Sequence, residues 1–163
     1  MIEIEEMGDE KIRETLERLN YGHLACSKDN HPYVVPVHYV YDGENIFIYT
    51  TEGKKADILR ANPEICLQAE DVKDNEHWVS VIASGEAEQL VDENERQKAL
   101  DLILKVNPKL TPAVSIRWMD SWIRENIEVI YRVRPRKMSG RKTVDRRLAK
   151  EPLTGRSRPP EIN

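Results

Sequence analysis

Between Gly22 and Val91 the apolar residues come in short runs separated by turn-forming clusters, and one of these runs is apolar on both sides. In Ile46-Phe47-Ile48-Tyr49-Thr50-Thr51, Ile46, Ile48 and Thr50 face one way and Phe47, Tyr49 and Thr51 the other, because side chains alternate along a strand. A strand covered on both faces belongs inside a small barrel or between two layers, not on a half-solvated sheet. The neighbouring runs, Gly22 to Ser27, Pro32 to Tyr41, Glu64 to Ala69 and Trp78 to Val91, also read as strands, as does Ile127 to Val133. Lys28-Asp29-Asn30-His31-Pro32 and Asp42-Gly43-Glu44-Asn45 supply turns, since Asp, Asn and Gly tolerate positive φ, and they make the first three strands an antiparallel meander.

Helices punctuate this pattern. Asp9 can cap a helix carrying Ile12, Leu16 and Leu19 on one stripe, which stops at Asn20-Tyr21-Gly22. Lys54 to Ala61 has good helix formers ended by Asn62-Pro63. Asp92 and Glu95 form a capping box for a helix reaching Lys105, with Ala99, Leu100, Ile103 and Leu104 on its apolar face, and Asn107-Pro108 stops it. Thr111 to Arg124, holding Trp118 and Trp122, is ambiguous and reads best as a helix. The expected fold class is therefore mainly β with flanking helices, six antiparallel strands and two to three helices.

Charge divides the chain. Ten basic and three acidic residues lie between Arg134 and Asn163, a net +7, so the first 133 residues carry −11 of the overall −4. The acidic part has an ordinary globular apolar content, and the basic tail has no hydrophobic period. No apolar run approaches the roughly 20 residues of a membrane span, and the start Met1-Ile2-Glu3-Ile4-Glu5-Glu6 is acidic where a signal peptide is basic. A soluble, cytoplasmic protein is the expectation. Cys26 and Cys66 sit in strand-like contexts without metal-ligand spacing and read as free thiols.

Chemistry concentrates in Tyr49-Thr50-Thr51-Glu52-Gly53-Lys54-Lys55. Hydroxyls at a strand end, a glycine permitting close approach and two lysines at a helix N-terminus suit a phosphate monoester, which takes hydrogen bonds, point charge and the helix dipole together. A solvated lysine pair at the start of a surface helix is the plainer alternative. No nucleotide P-loop of the form GxxxxGK[ST] is present.

Four segments taken in order, Pro36 to Gly43, Ile46 to Lys55, Leu59 to Cys66 and Trp78 to Leu90, resemble the pyridoxamine 5'-phosphate oxidase-like FMN-binding split-barrel superfamily, and within it the nitroimidazole-resistance-like branch. The resemblance covers Tyr21 to Val133. It implies a six-stranded antiparallel split β-barrel, expected over residues 1–136, and a homodimer with FMN at the subunit interface; the tail from Arg134 has no counterpart in the family, and by its composition the basic C-terminal extension over 137–163 is expected to be flexible or docked on the dimer. It places Val35, Pro36, Val37 and His38 along the flavin ring and ribityl chain. Tyr49, Thr50 and Thr51 come near flavin and phosphate, Lys54 and Lys55 at the phosphate, and Ser80 near the ring edge.

Pyridoxamine phosphate oxidase itself carries a basic residue in the second strand and an Arg-Lys phosphate clamp; this chain has Val35-Pro36-Val37 and Lys54-Lys55, which argues against vitamin B6 oxidation. The nitroimidazole-resistance branch carries His at the place of Tyr49. The expected function is an FMN-dependent oxidoreductase acting on a small molecule, with the cofactor carrying the redox step and no catalytic base assigned. A non-catalytic haem or deazaflavin module on the same barrel is the alternative, and the lack of a histidine in the tail weighs against haem. His38 is a ring-packing residue or a proton donor, and Tyr49 a hydrogen-bond donor or a core residue. Nucleic acid is disfavoured, because the acidic body repels a polyanion and the tail has no aromatic residue for base stacking.

Overall fold

The computed structural model describes residues 1–110 and 128–146, and the expected helix with Trp118 and Trp122 lies outside them. Among the described residues eight strands and three helices follow one another: β1 (Ile2–Glu6), α1 (Asp9–Arg18), β2 (Tyr21–Lys28), β3 (His31–Tyr41), β4 (Ile46–Thr51), α2 (Lys54–Ala61), β5 (Glu64–Asp74), β6 (His77–Gln89), α3 (Glu93–Val106), β7 (Glu128–Val133) and β8 (Lys137–Asp145). All pairings are antiparallel, in the order β1-β8-β6-β5-β2-β3-β4-β7, and a further β6–β7 pairing closes the ring. The closed part is the expected six-stranded barrel, β2 to β7, with β1 and β8 as a two-stranded ribbon on β6.

Local chemistry sets the turns. Asp29 and Asn30, at φ 50° and 61°, make the two-residue turn that puts Lys28 opposite His31. Asp42 accepts the backbone N–H groups of Glu44 (2.9 Å) and Asn45 (2.7 Å), and Gly43 takes φ 100°. In the capping box ahead of α3, the Asp92 carboxylate accepts the Glu95 N–H at 2.9 Å. For α1 the cap position belongs to Gly8 and not to Asp9, which lies inside the first turn, where its charge faces the positive end of the helix dipole.

The barrel interior holds Leu24, Ile46, Ile48, Leu67 and Val133, all fully buried. Each contributes roughly 1.5–3 kcal/mol by leaving water. From α1, Leu16 and Ile12 enter the same core, and the Tyr39 hydroxyl donates to the Leu16 carbonyl at 2.9 Å. On the other side of β4 a second apolar cluster gathers Val40, Tyr49 and Ile130 under Ala99 and Ile103 of α3. The two-sided burial expected of β4 is thus real: barrel core on one face and α3 on the other.

β6 is the organising strand. Its C-terminal end pairs with β7 (Ala87 with Val133) and its N-terminal half with β8 (Ser84 with Lys137, Val79 with Lys142). β7 and β8 therefore run along β6 one after the other, interrupted at Arg134-Pro135-Arg136. The register shifts by one residue across this interruption, and the carbonyl of Arg134 presses against Gly85, where a Cβ would lie 2.7 Å from it. The sheet consequently runs past Arg136, the expected domain boundary, to Asp145. The basic segment hid this strand because its inward positions are filled by Met138, against the core, and the buried Gly140, while the exposed Lys137, Ser139 and Arg141 alternate with them on the outward side.

Gly85→Ala should destabilise the fold by about 1–3 kcal/mol, since backbone must move to admit the methyl group. Urea unfolding would show a lowered midpoint, and a midpoint equal to wild type would contradict the close approach.

Candidate functional site

α2 begins where β4 ends, after Gly53 at φ 152° and ψ −159°, a conformation essentially confined to glycine. Lys54 and Lys55 are its first two residues. The Lys54 ammonium lies 4.9 Å over the ring of Tyr33, which ties the start of α2 to the start of β3. Lys55 is half-buried beside β2, and burial lowers its ammonium below the ordinary lysine range, opposed by the charges of Cys26 and Glu52. The Cys26 thiol is in turn pushed up by burial, with Lys55 acting against the shift.

The acids closest in sequence are held elsewhere. Arg60 takes both oxygens of Glu52, at 2.7 and 2.8 Å, and one of Asp57 at 2.9 Å. Among the described residues no carboxylate lies within 4.0 Å of either lysine ammonium. The site therefore presents two cations at a helix N-terminus with no carboxylate among the described residues paired to them.

The remaining expected contacts separate by face. Val35 and Val37 turn into the barrel core, so only their backbone is offered outward, whereas Pro36 is exposed. Thr50 points inward and is buried, and Thr51 is half-buried opposite Glu128. Tyr49 is a core residue under α3 whose hydroxyl donates to Glu128 at 2.9 Å; burial first, then that carboxylate, pushes its phenol up. His38 sits directly opposite Tyr49 and, on its other side, opposite Tyr21, whose ring meets it edge-on at 5.6 Å. Its Nδ1 is buried and has no hydrogen-bond partner.

Ser80 is on β6, with β5 and β2 between it and β3, and so lies apart from the lysines. It lines a cavity of about 570 Å³ with Trp78, Ile82, Met138 and Arg141. A polar stripe that sequence reading missed crosses the outside of the barrel: Glu128, Tyr49, His38, Tyr21, His23, Gln68 and Ser80, one from each strand except two on β2. No single segment holds more than two of these residues, so only strand register assembles them. A second cavity of about 900 Å³ contains Arg132, Arg134 and Arg136, but each is already ion-paired, with Glu88 and Glu95, Glu44, and Glu64 and Glu86 respectively.

Tyr131 has a buried hydroxyl without a partner among the described residues, and burial, with the charge of Glu52 as the next cause, pushes its phenol up to about 12. Unfolded, it would ionise near pH 10, so its stabilising share is complete below about pH 10 and disappears as the pH rises to about 12. Tyr131→Phe should be neutral or stabilising at pH 7, because it removes an unpaired polar group. It should also weaken the fall in urea midpoint between pH 10 and 12; an unchanged alkaline profile would contradict this.

A family model described as pyridoxamine 5'-phosphate oxidase matches residues 8–142. An uncharacterized protein of Rhizobium meliloti (strain 1021) is 31% identical over 84 residues; the match spans 52% of this chain and only 56%, about half, of that relative. Among solved structures, a FAD-binding protein of Mesorhizobium loti is 27% identical, with a TM-score of 0.69 over 89% of this chain and 100% of that one. A candidate 5-nitroimidazole antibiotic resistance protein of Bacteroides thetaiotaomicron shares the fold at 18% identity, with a TM-score of 0.66 over 89% of this chain and 92% of that one. Among the described residues no helix is long and apolar enough to cross a membrane. The barrel with its shared strand β6 and a family match running from α1 into β8 lead to one conclusion: this chain belongs to the pyridoxamine 5'-phosphate oxidase family.

Proposed function

We propose that this chain is an FMN-binding flavoprotein of the cytoplasm, an oxidoreductase acting on a small molecule as a homodimer. The observation that carries the reading is the pair Lys54 and Lys55 at the start of α2, left without a carboxylate partner among the described residues while Arg60 holds Glu52 and Asp57. In a barrel body of net charge −11, two such cations behind a glycine are suited to a dianionic phosphate. The FAD-binding relative of Mesorhizobium loti supports a flavin as the phosphate's bearer.

The other residues fit the group as well. The orphaned Nδ1 of His38 is a hydrogen-bonding atom awaiting a partner on the barrel's outer face. That face also exposes Tyr21 and Val34, and Ile82 on β6, which a second copy of the chain would cover. Dimerisation would bring Ser80 of one copy towards the lysines of the other, which a single chain keeps apart. When bound, FMN supplies electron transfer at its ring; the protein holds the phosphate through Lys54 and Lys55, orients the ring with His38 and Ser80, and excludes water with the second copy.

Titration with FMN, followed by flavin fluorescence, should saturate. Lys55→Ala should weaken the affinity roughly ten-fold or more, a charge-assisted hydrogen bond being worth about 1.5–3 kcal/mol. Lys54→Ala should cost less, since that ammonium is exposed and screened. Riboflavin, without a phosphate, should bind wild type and both variants alike. Absence of saturable FMN binding, or lysine variants indistinguishable from wild type, would sink the reading; a solution mass equal to one 19.0 kDa chain would remove the dimer.

The same geometry gives Arg60 a measurable role. Arg60→Gln should release Glu52 to pair with Lys55 and weaken FMN binding several-fold, with Glu52→Gln restoring it in the double variant. Equal affinities in all three proteins would show that Arg60 does not keep the lysines available.

A further inference from the structure

We infer that Gln68 is a positioning residue that makes the Ser80 hydroxyl a one-way hydrogen-bond donor into the cavity of about 570 Å³ on β6, where it serves an acceptor on the flavin ring. The inference rests on the flavin reading above and goes beyond it by fixing the direction of a proton.

The direction follows from the partners. Gln68 Nε2 lies 2.9 Å from a carboxylate oxygen of Glu70 and 3.1 Å from Ser80 Oγ, and its Oε1 lies 3.3 Å from His23 Nδ1. A carboxylate only accepts, so Glu70 forces the Gln68 amide to turn its NH2 towards β6; the flipped amide would set oxygen against oxygen. One amide proton then goes to Glu70 and the other to Ser80. Oε1 is left facing His23, whose Nδ1 must carry a proton to satisfy it. Ser80 Oγ accepts from Gln68, and its own proton has no acceptor among the described residues. Ser80 lines the cavity, which leaves that proton for a bound acceptor there.

An ordinary serine hydroxyl rotates between donating and accepting, so fixing its acceptor side narrows it to donation without any strong bond. Register explains why these residues meet: His23 is directly opposite Gln68, and Glu70 is directly opposite Ser80. All four side chains share the outer face of the barrel.

The test measures FMN affinity and the reduction potential of the bound flavin in wild type, Ser80→Ala, Gln68→Leu and the double variant. Ser80→Ala should weaken FMN binding about five-fold, the factor of one ordinary hydrogen bond. Gln68→Leu should lose part of that factor and shift the potential in the same direction. In the Ser80→Ala background Gln68→Leu should change neither quantity, because the donor it acts through is gone. Ser80→Thr keeps the hydroxyl and should restore both.

If Gln68→Leu has the same effect with and without the Ser80 hydroxyl, or none at all, the positioning role is overturned while the flavin reading stands. A wild-type protein that takes up no FMN overturns both.

Discussion

Antiparallel pairing along β6 is the constraint on which the rest of the structure depends. This strand is long enough to serve β5 along one edge and two successive partners along the other, β7 and then β8. Pairing with β7 closes the barrel and removes two sheet edges; pairing with β8 carries the ribbon that brings β1 and α1 over the core. The handover between β7 and β8 requires one extra residue opposite Gly85, where only a residue without a side chain admits the Arg134 carbonyl. Barrel closure, the position of α1 and the cavity beside Ser80 all follow from that one strand having two partners.

The same arrangement separates two kinds of chemistry. The end of β4 and the start of α2 gather charge for an anion, with Arg60 drawing the local acids aside. The outer face of β2, β3, β5 and β6 gathers hydrogen-bonding groups beside exposed apolar side chains. A molecule with a phosphate at one end and a flat polar ring at the other needs both, and two copies of the chain facing each other would supply them together. The arginine-rich cleft near β7 illustrates the contrast: its cations are numerous but each is already balanced by a carboxylate, which leaves no net demand for an anion.

Much of this was legible in the residues. Two-sided apolarity in Ile46 to Thr51, the Asp-Asn and Asp-Gly turns and the Asp92 capping box are local signals, and each reappears where expected. β8 was not legible, because Met138 and Gly140 make a weak inward alternation inside a basic run. Tyr49 shows a subtler limit. Its place in the strand was clear, yet whether its hydroxyl was free depended on Glu128, 79 positions away in the chain.

By itself the sequence determined the strands, the turns between them, the glycine-lysine start of α2 and the acidic character of the barrel body, all properties of neighbouring residues. Only the tertiary structure decided which strand closes the barrel, that Arg60 rather than a lysine holds Glu52, and that His23, Gln68, Glu70 and Ser80 form one directed chain. The physical reason is register. Apart from Gln68 with Glu70, which are two positions apart on one strand, those contacts join residues brought opposite or beside one another by strand pairing or helix packing, and a shift of a single residue would have turned the strand side chains to the other face.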